Sequence, residues 1–324
     1  RRQRQMCIRD RYVNGKKAGR EVLFVPARNV PGFLVKGNKY RGDMKAIPSS
    51  WGNGITLINV LPMEDYLKGV VPSEIVPSWR MDAIKAQAVA ARTYATYHRN
   101  GYRSSGYDVT DDTRTQVYRG FSAETAATNR AVSETAGEVV TYAGKPIDAL
   151  FHSSGGGFTE NSENVWGSVI PYLRGVKEES STYLMTPWKK TMTMASFTKS
   201  LENAGYKIGD LKSIKLSHLK KGEANHSSDR GISGRVKSVV FVGKKGRATV
   251  SGERLQRLYG LDSTLFDISA KGKELTITGY GYGHGLGLSQ WGAEAMAEKH
   301  GDGKNYYKTI LSHYFTGTKI EKIY

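Results

Sequence analysis

Glu74 is the residue whose sequence setting most favours acid–base chemistry. It lies between Pro72 and Pro77, and valines and an isoleucine flank it on both sides. Apolar neighbours remove water from a carboxyl group, which raises its pKa and makes it a usable proton donor near neutral pH. On the residues alone a structural role is favoured over catalysis, because Glu74 could cap the following turn or pair with Arg92.

A second candidate group combines small polar side chains with glycines. His152, Ser153 and Ser154 lead directly into three glycines, which let backbone amides approach a ligand closely. A serine nucleophile activated by the histidine is disfavoured, because adjacent residues seldom form that pair and no G-x-S-x-G elbow is present here. We expect these side chains to bind polar groups of a ligand. Glu160 and Trp166 follow in the same loop, where Trp166 either offers a flat apolar face or belongs to the core.

A glycine-laced turn near the end of the chain holds the third group. Tyr280, Tyr282 and His284 alternate with glycines there, and Ser289 follows as the expected N-cap of a helix that runs to Lys299. A core histidine normally has apolar neighbours, whereas His284 stands between two glycines. We therefore expect His284 to be exposed to an approaching ligand.

The elements that must position these residues are one long helix and several short strands. From about residue 81 to residue 99, alanines and aliphatic residues cover nearly every side of a predicted helix, as in a buried helix. Before it, a short helical turn is expected to end at Gly69. Residues 139–142 and 147–151 predict a hairpin whose second strand delivers His152.

The predicted fold class is α+β: a buried central helix with short antiparallel sheets and a β-rich inserted subdomain. Short β-type runs separated by proline, glycine and asparagine predict the sheets. Residues 189–273 predict the inserted subdomain, with an exposed loop at residues 220–233.

Cysteine content and net charge indicate which classes of chemistry and of binding partner suit the chain. Residues 1–11, RRQRQMCIRDR, resemble a translated sequencing-adaptor remnant and are set aside as a non-native tail. They hold the only cysteine, Cys7, so the native part has no disulfide and no cysteine nucleophile. The tail contains five arginines and one aspartate, so its removal lowers the net charge from +18 to +14. A basic chain suits an anionic partner, but its lysines are scattered without a basic arm, which disfavours nucleic acid.

The sequence predicts neither a metal nor a cofactor. Asp108, Asp111 and Asp112 lack the ligand spacing, glycine and distal glutamate of a calcium loop. His218 and His226 have no carboxylates at ligand spacing. No apolar stretch approaches the roughly 18 residues of a membrane-spanning helix and no signal sequence is visible, so we expect an anchor or signal to be missing from this chain.

Separated motifs resemble, in sequence and in order, the stage II sporulation protein D family, which also includes amidase enhancers of bacterial cell walls. The motifs are LPMEDYLKGVVPSEI followed by AIKAQAVAARTYA, then FHSSGGG, TENSENVWG and GYGHGLGLSQWGA. The match runs from about Gly37 to Tyr324, and residues 189–273 carry no motif that aligns. The implied organisation is a tail of residues 1–11, a catalytic core of residues 12–188 and 274–324, and an inserted subdomain of residues 189–273.

The resemblance implies lytic transglycosylation of peptidoglycan, with Glu74 as the catalyst. In this hypothesis Glu74 protonates the glycosidic oxygen between N-acetylmuramic acid and N-acetylglucosamine. It then takes the proton of the muramic C6 hydroxyl as a 1,6-anhydro ring closes. The expected substrate contacts are Arg92, His152, Ser153, Ser154, Glu160, Trp166, Tyr280, His284 and Gln290.

Two alternatives stay open. If Glu160 or Glu163 lies on the opposite face of the sugar, an ordinary two-carboxylate hydrolase becomes possible. The rival class is a non-catalytic wall module that binds glycan and stimulates an amidase. Expected partners are peptidoglycan glycan strands, a cell-wall amidase or membrane-bound sporulation proteins. The expected location is extracytoplasmic, in the cell wall or at the outer face of the cytoplasmic membrane.

Overall fold

The computed structural model describes residues 11–13, 16–28, 32–50, 53–179, 186–301 and 303–324. Apart from Arg11, the predicted non-native tail lies outside these residues. In chain order the elements are β1 (Arg11–Val13), β2 (Lys16–Ala18), β3 (Val22–Phe24), β4 (Phe33–Val35), β5 (Asn38–Tyr40), β6 (Asp43–Pro48), β7 (Ile55–Val60), α1 (Met63–Glu74), α2 (Met81–Tyr97), α3 (Ala126–Glu134), β8 (Glu138–Tyr142), β9 (Lys145–Pro146), β10 (Phe151–His152), α4 (Ser162–Trp166), β11 (Trp188–Thr193), α5 (Met194–Asn203), β12 (Leu211–Lys215), β13 (Ser238–Gly243), β14 (Arg247–Ser251), α6 (Gly252–Tyr259), β15 (Phe266–Lys271), β16 (Glu274–Gly279), β17 (Leu288–Ser289), α7 (Gln290–His300), α8 (Tyr306–Tyr314) and β18 (Lys319–Lys322).

The predicted α+β class is confirmed, since helices alternate with short sheets whose pairing is mostly antiparallel. The chain divides into two compact units. Unit 1 comprises the residues up to Pro77 together with Ala95–Ala136, and unit 2 comprises Ser78–Tyr94 together with Gly137–Tyr324. The division passes through α2, whose sides are buried as its alanine-rich sequence predicted. The residues of α2 with no exposed surface include Ala83, Ile84, Ala86, Ala88, Val89, Ala90 and Ala91.

Unit 1 is built on the antiparallel sheet β3-β6-β7, in which β6 is the middle strand. The register of β6 and β7 is unbroken from Asp43 opposite Val60 to Pro48 opposite Ile55. Helix α1 packs against α3 in the same unit. Its apolar side chains, Leu67, Val70 and Val71, have no exposed surface, as expected of the core face of an amphipathic helix.

Helix α1 corrects the prediction of a helical turn that ends at Gly69. The helix continues through Gly69 and Pro72 and ends at Glu74. Gly69 serves close packing instead, because a Cβ atom at this position would lie 2.6 Å from the ring of Tyr118. Glu74 is thus presented from the end of a helix rather than from an extended segment between prolines.

The described residues of unit 2 form four small sheets. Strands β18-β8-β9 and β12-β13-β14 form antiparallel sheets, as do β11-β16-β15, whereas β10 and β17 pair in parallel. The predicted hairpin of residues 139–142 and 147–151 is therefore only partly correct. Strand β8 turns into the two-residue β9, and the chain then leaves that sheet to form β10 beside β17.

One hydrophobic cluster of unit 2 draws its buried members from residues 188–277. Phe197, Phe241 and Phe266 lie at its centre with no exposed surface. Strand β16 pairs with both β11 and β15, so this sheet extends past the predicted boundary at residue 273. Whether residues 189–273 form an inserted subdomain stays a prediction.

The loop of residues 220–233 differs from the predicted exposed loop. Asn225, Arg230 and Ser233 are buried in it. Polar side chains enter a core when their hydrogen bonds are satisfied there, and the contacts of Ser233 described below show such a case. Among the helices of the described residues, none combines the length and apolar character that a bilayer crossing requires.

Candidate active site and glycine-rich cleft

Glu74 is partly buried in unit 1, at the end of α1. Its Oε1 accepts a hydrogen bond of 2.9 Å from the backbone N–H of Val117. Burial raises the pKa of Glu74 above its usual range, and the Val117 hydrogen bond acts in the opposite direction. No basic residue in the last turn of α1 favours the charged form. The sequence predicted such a setting, which suits a proton donor, while the catalytic role itself stays a prediction.

Arg92 lies in the part of α2 that belongs to unit 2, and its side chain has no exposed surface. Its Nη1 donates a hydrogen bond of 3.1 Å to the carbonyl oxygen of Glu138, at the start of β8. In this conformation Arg92 ties α2 to β8. A contact between Arg92 and a substrate, which the resemblance implied, would require this packing to open.

The two glycine-rich segments predicted to bind ligand come together in unit 2. The parallel pairing of β10 and β17 places His152 opposite Ser289. Beyond the strands, Ser154 N–H donates to the Tyr282 carbonyl at 3.1 Å, and Tyr282 N–H donates to the Ser154 carbonyl at 2.9 Å. Ser289 Oγ accepts from Gly155 N–H at 3.3 Å and also caps α7 through Gly292 N–H, which confirms the predicted N-cap.

His152 and His284 lie side by side, with ring centroids 5.4 Å apart. His152 Nδ1 donates to the Leu286 carbonyl at 3.0 Å, and His284 Nε2 donates to the Phe151 carbonyl at 3.0 Å. His284 Nδ1 accepts from Leu286 N–H, so the ring of His284 must be neutral to make both bonds. His284 lines a cleft but is half-buried rather than exposed as predicted, and both of its ring nitrogens are engaged with the backbone.

Both histidines are held in the neutral form. Burial lowers the pKa of His284 to about 4, and the positive charge of Arg235 acts in the same direction. Burial also places the pKa of His152 well below its usual range, with His284 and Arg235 contributing further. These rings therefore act as hydrogen-bonding groups near neutral pH rather than as cations.

Arg235 is a central residue of this cluster that the sequence did not indicate. Its Nη1 donates to the Gly283 carbonyl at 3.1 Å and its Nη2 donates to the Gly155 carbonyl at 3.4 Å. Burial lowers the pKa of Arg235 to about 10, which leaves the guanidinium charged at neutral pH. One buried cation thus joins both glycine-rich segments. It lies within residues 189–273, where no motif drew attention to it.

Glu178 is a second buried residue that the sequence did not indicate. Its Oε2 accepts a hydrogen bond of 2.7 Å from Gly157 N–H, and burial raises its pKa. A Cβ atom at Gly292 would lie 2.7 Å from Glu178 Oε1 and 1.9 Å from the hydroxyl oxygen of Tyr314. Gly292 is therefore required in α7 because these two side chains occupy the space beside it.

Glu160 is fully buried and serves as an anchor for surrounding loops. Its Oε1 accepts from Asn161 N–H at 2.8 Å, Asn164 Nδ2 at 2.8 Å and Ile232 N–H at 3.0 Å. Its Oε2 accepts from Ser233 N–H at 3.2 Å and from Ser233 Oγ at 2.6 Å. With five donors on one carboxylate, Glu160 has no capacity left for a ligand in this conformation. In this conformation Glu160 therefore holds the surrounding loops in place and does not form the predicted contact with a sugar.

Trp166 borders a cleft of about 220 Å³ in unit 2 and is 48% exposed, so it is not a core residue. His284 and the buried Glu160 also line this cleft, whose opposite wall comes from α6. The α6 side chains in that wall include Glu253, Gln256 and Arg257. The cleft thus offers an indole face, a charged pair and an amide group. These groups suit a polar, ring-shaped ligand.

The remaining predicted contacts lie around the same segments. Ser153 is half-buried, and its carbonyl accepts from Trp291 N–H at 3.0 Å. Tyr280 is half-buried under Lys221, whose Nζ lies 4.5 Å from the ring centroid. Gln290 is buried and donates to Gln87 Oε1 at 3.4 Å.

Glu163 is not free to act as a second acid. Arg174 Nη1 and Nη2 each donate to one of its carboxylate oxygens at 2.7 Å, and this pairing lowers the pKa of Glu163.

Two models of known protein families match separate segments of the chain. A family model described as "Stage II sporulation protein" matches residues 52–142, which include Glu74. A second model, described as a domain of unknown function, matches residues 155–287, which include Glu160, Trp166 and His284.

Several relatives cover most of the chain. Stage II sporulation protein D of Bacillus subtilis strain 168 is 34% identical over 282 residues, which are 81% of this chain and 75% of that protein. An uncharacterised protein of Brachyspira hyodysenteriae is 34% identical over 291 residues, 89% of this chain and 74% of that protein. The amidase enhancer of Bacillus subtilis is 33% identical over 294 residues, 78% of this chain but 40% of the enhancer. The glycine-rich segments, the Glu74 motif and these identities lead to one assignment: the chain belongs to the stage II sporulation protein D family.

Proposed function

We propose that the chain is a lytic transglycosylase of peptidoglycan that cleaves the bond between N-acetylmuramic acid and N-acetylglucosamine. The observation that carries the proposal is the partly buried carboxyl group of Glu74, whose pKa is raised by burial. A raised pKa keeps a fraction of the carboxyl group protonated near neutral pH, which is what a general acid requires.

In the proposed mechanism one carboxyl group performs both proton transfers. Glu74 donates its proton to the glycosidic oxygen as the bond to C1 breaks. The resulting carboxylate then takes the proton of the muramic C6 hydroxyl, whose oxygen bonds to C1 and closes a 1,6-anhydro ring. The nucleophile belongs to the substrate, so no water is consumed and Glu74 ends the cycle protonated.

The states of the other candidate acids favour this mechanism over hydrolysis. A two-carboxylate hydrolase needs a second group that acts as base or nucleophile. Glu160 is saturated by five donors, and Glu163 is held by Arg174. A mechanism that needs a single carboxyl group fits this situation better.

The cleft beside Trp166 supports a role in holding glycan. We propose that the indole face of Trp166 packs on a sugar ring, while polar groups of α6 bind its hydroxyl or N-acetyl groups. The buried network of His152, Arg235 and Glu160 would then keep the walls of this cleft rigid. We also propose an extracytoplasmic location, where this substrate lies, and a basic surface that suits anionic wall polymers.

A second candidate function is that of a non-catalytic amidase enhancer. The identity to the Bacillus subtilis amidase enhancer favours it. In this alternative the same cleft would bind glycan and a wall amidase would be the partner, with no chemical step at Glu74.

The products of a peptidoglycan digest separate these functions. Purified peptidoglycan, with and without its stem peptides, is digested in water enriched in oxygen-18, and the soluble fragments are analysed by mass spectrometry. A lytic transglycosylase releases anhydro-muramyl fragments without heavy oxygen, whereas a hydrolase releases reducing ends that carry it. Glu74→Gln should lower the rate of anhydro-product formation by about 10²–10⁴.

The matched control is Glu134→Gln, because Glu134 ends α3 as Glu74 ends α1 but is exposed to solvent. It should leave the product unchanged. Anhydro product that Glu74→Gln forms at the rate of the parent chain contradicts the catalytic assignment. Binding to glycan with stimulation of a purified amidase, and no product, establishes the enhancer function instead.

A further inference from the structure

Strand β7 leaves one edge of a sheet open in unit 1. It is the outer strand of the sheet β3-β6-β7, and it pairs only with β6 among the described residues. In an antiparallel sheet, alternate residues of an outer strand direct their N–H and C=O groups away from the sheet. A six-residue strand such as β7 therefore presents a row of backbone donors and acceptors about 20 Å long.

This edge carries none of the features that normally prevent pairing with another chain. Such features are charged residues, proline and bulges. The sequence of β7, ITLINV, has no charge and no proline, and its unbroken register with β6 shows no bulge. Ile55, Leu57 and Val60 are respectively 60%, 49% and 45% exposed. An apolar, unprotected edge of this kind pairs readily with an extended segment.

A groove of about 1070 Å³ runs along β7 and is lined only by residues of unit 1. Its basic side chains are Lys36, Arg99, Arg103 and Arg114, against the acids Asp108 and Asp111. Arg114 is paired with Asp112, which lies outside the groove. Within the described ranges, Arg99 and Arg103 form no ion pair with any carboxylate. Among the described residues Lys36 forms none either, so three unpaired cations face the two acids and leave the groove with an excess of positive charge beside the open strand edge.

We propose that this groove docks an extended, acidic segment of a partner polypeptide, which pairs with β7 as a fourth strand of the sheet. The backbone of a peptide strand repeats its donors and acceptors every two residues, as β7 does, so it satisfies the whole edge. Acidic side chains on the partner meet Arg99 and Arg103, and its apolar side chains cover Leu57 and Ile55.

The test uses the full chain and defined peptides in a fluorescence anisotropy titration. The probe is a labelled peptide of alternating glutamate and valine, about ten residues long, which favours an extended strand. The structure predicts saturable binding that weakens with salt. Leu57→Glu, which places a charge of the peptide's own sign on the open edge, should weaken binding by about tenfold or more. Arg99→Glu combined with Arg103→Glu should do the same.

Two matched controls identify strand addition. Leu23→Glu changes a similarly exposed leucine, 55% against 49%, on β3 at the other edge of the same sheet, and it should leave binding unchanged. A peptide N-methylated at alternate residues keeps its charges but loses the donors of one edge, and it should not bind. Circular dichroism verifies that each variant is folded.

Three results would overturn the proposal. Equal binding of the N-methylated peptide would show attraction by charge alone. Displacement of the peptide by chito-oligosaccharide would assign the groove to glycan. A concentration-dependent dimer that Leu57→Glu abolishes would identify a second copy of this chain as the occupant. None of these outcomes depends on the activity of Glu74, so the proposed catalytic function stands or fails separately.

Discussion

Replacing Glu160 with glutamine should destabilise unit 2 far more than so small a chemical change suggests. The carboxylate accepts five hydrogen bonds, three at Oε1 and two at Oε2. A glutamine offers one oxygen and one NH2 group. In the less costly orientation the oxygen keeps the three donors of Oε1, and the NH2 group faces Ser233. The Ser233 hydroxyl can rotate to accept, but its backbone N–H loses its partner.

The expected loss follows from these contacts. A buried N–H without a partner costs about 1–3 kcal/mol, and three hydrogen bonds that lose charge assistance weaken by about 1 kcal/mol each. Part of this loss is offset, because burying a neutral amide costs less free energy than burying a charged carboxylate. We expect a net loss of about 3 kcal/mol in the free energy of unfolding, against a typical total of about 5–15 kcal/mol.

Urea denaturation measures the effect. With a slope of about 2–3 kcal/mol per M, the midpoint should fall by about 1–1.5 M. Glu163→Gln is the matched control, since the same change three residues further along the chain only breaks a partly exposed ion pair with Arg174, worth about 0–1 kcal/mol. If both variants shift the midpoint equally, Glu160 is not the anchor that its contacts indicate.

Three further predictions test other parts of the structure. The rate of anhydro-product formation should fall as the pH rises through the raised pKa of Glu74, because only the protonated carboxyl group donates. Glu74→Gln should remove this pH limb together with about 10²–10⁴ of the rate, and a profile without any such limb in the parent chain would contradict the acid role. His284 has a pKa of about 4 in the folded state against 6.5, so the unfolded chain binds more protons between these values and stability falls as the pH is lowered through that window. In urea titrations His284→Gln should flatten this slope by up to about 1.4 kcal/mol per pH unit, and an unchanged slope would contradict a neutral buried ring. Gly69→Ala should lower the free energy of unfolding by about 1–3 kcal/mol, because its methyl group would overlap the ring of Tyr118, whereas a stabilising effect would contradict that contact.

Features that depend on nearby residues were predictable from the sequence. The buried helix α2 followed from the spacing of its alanines, and Ser289 was recognised as a cap from its position before α7. The partly desolvated setting of Glu74 followed from its apolar neighbours. Gly69 was misread because a glycine ends a helix in one context and permits close packing in another, and only the position of Tyr118 distinguishes them.

Features that depend on distant residues were not predictable. The donors that saturate Glu160 include Ile232, which is 72 positions away, and no periodicity connects them. Arg235 reaches across 80 positions to Gly155, from a region without a motif. The sequence therefore indicated His152 and Glu160 as ligand contacts, because polar residues beside glycines resemble a binding loop. Their burial became evident only from the fold.

The pairing of β10 with β17 has a consequence for how the chain acquires its structure. His152 and Leu286 are 134 positions apart, yet they share a hydrogen bond beside a sheet of only two residue pairs. Closing so large a loop costs entropy before much contact energy is gained, which slows folding. During synthesis, the segment around His152 must wait for the ribosome to release residues 284–289. A chain interrupted before that point lacks β17 and leaves the edge of β10 unpaired, which favours aggregation.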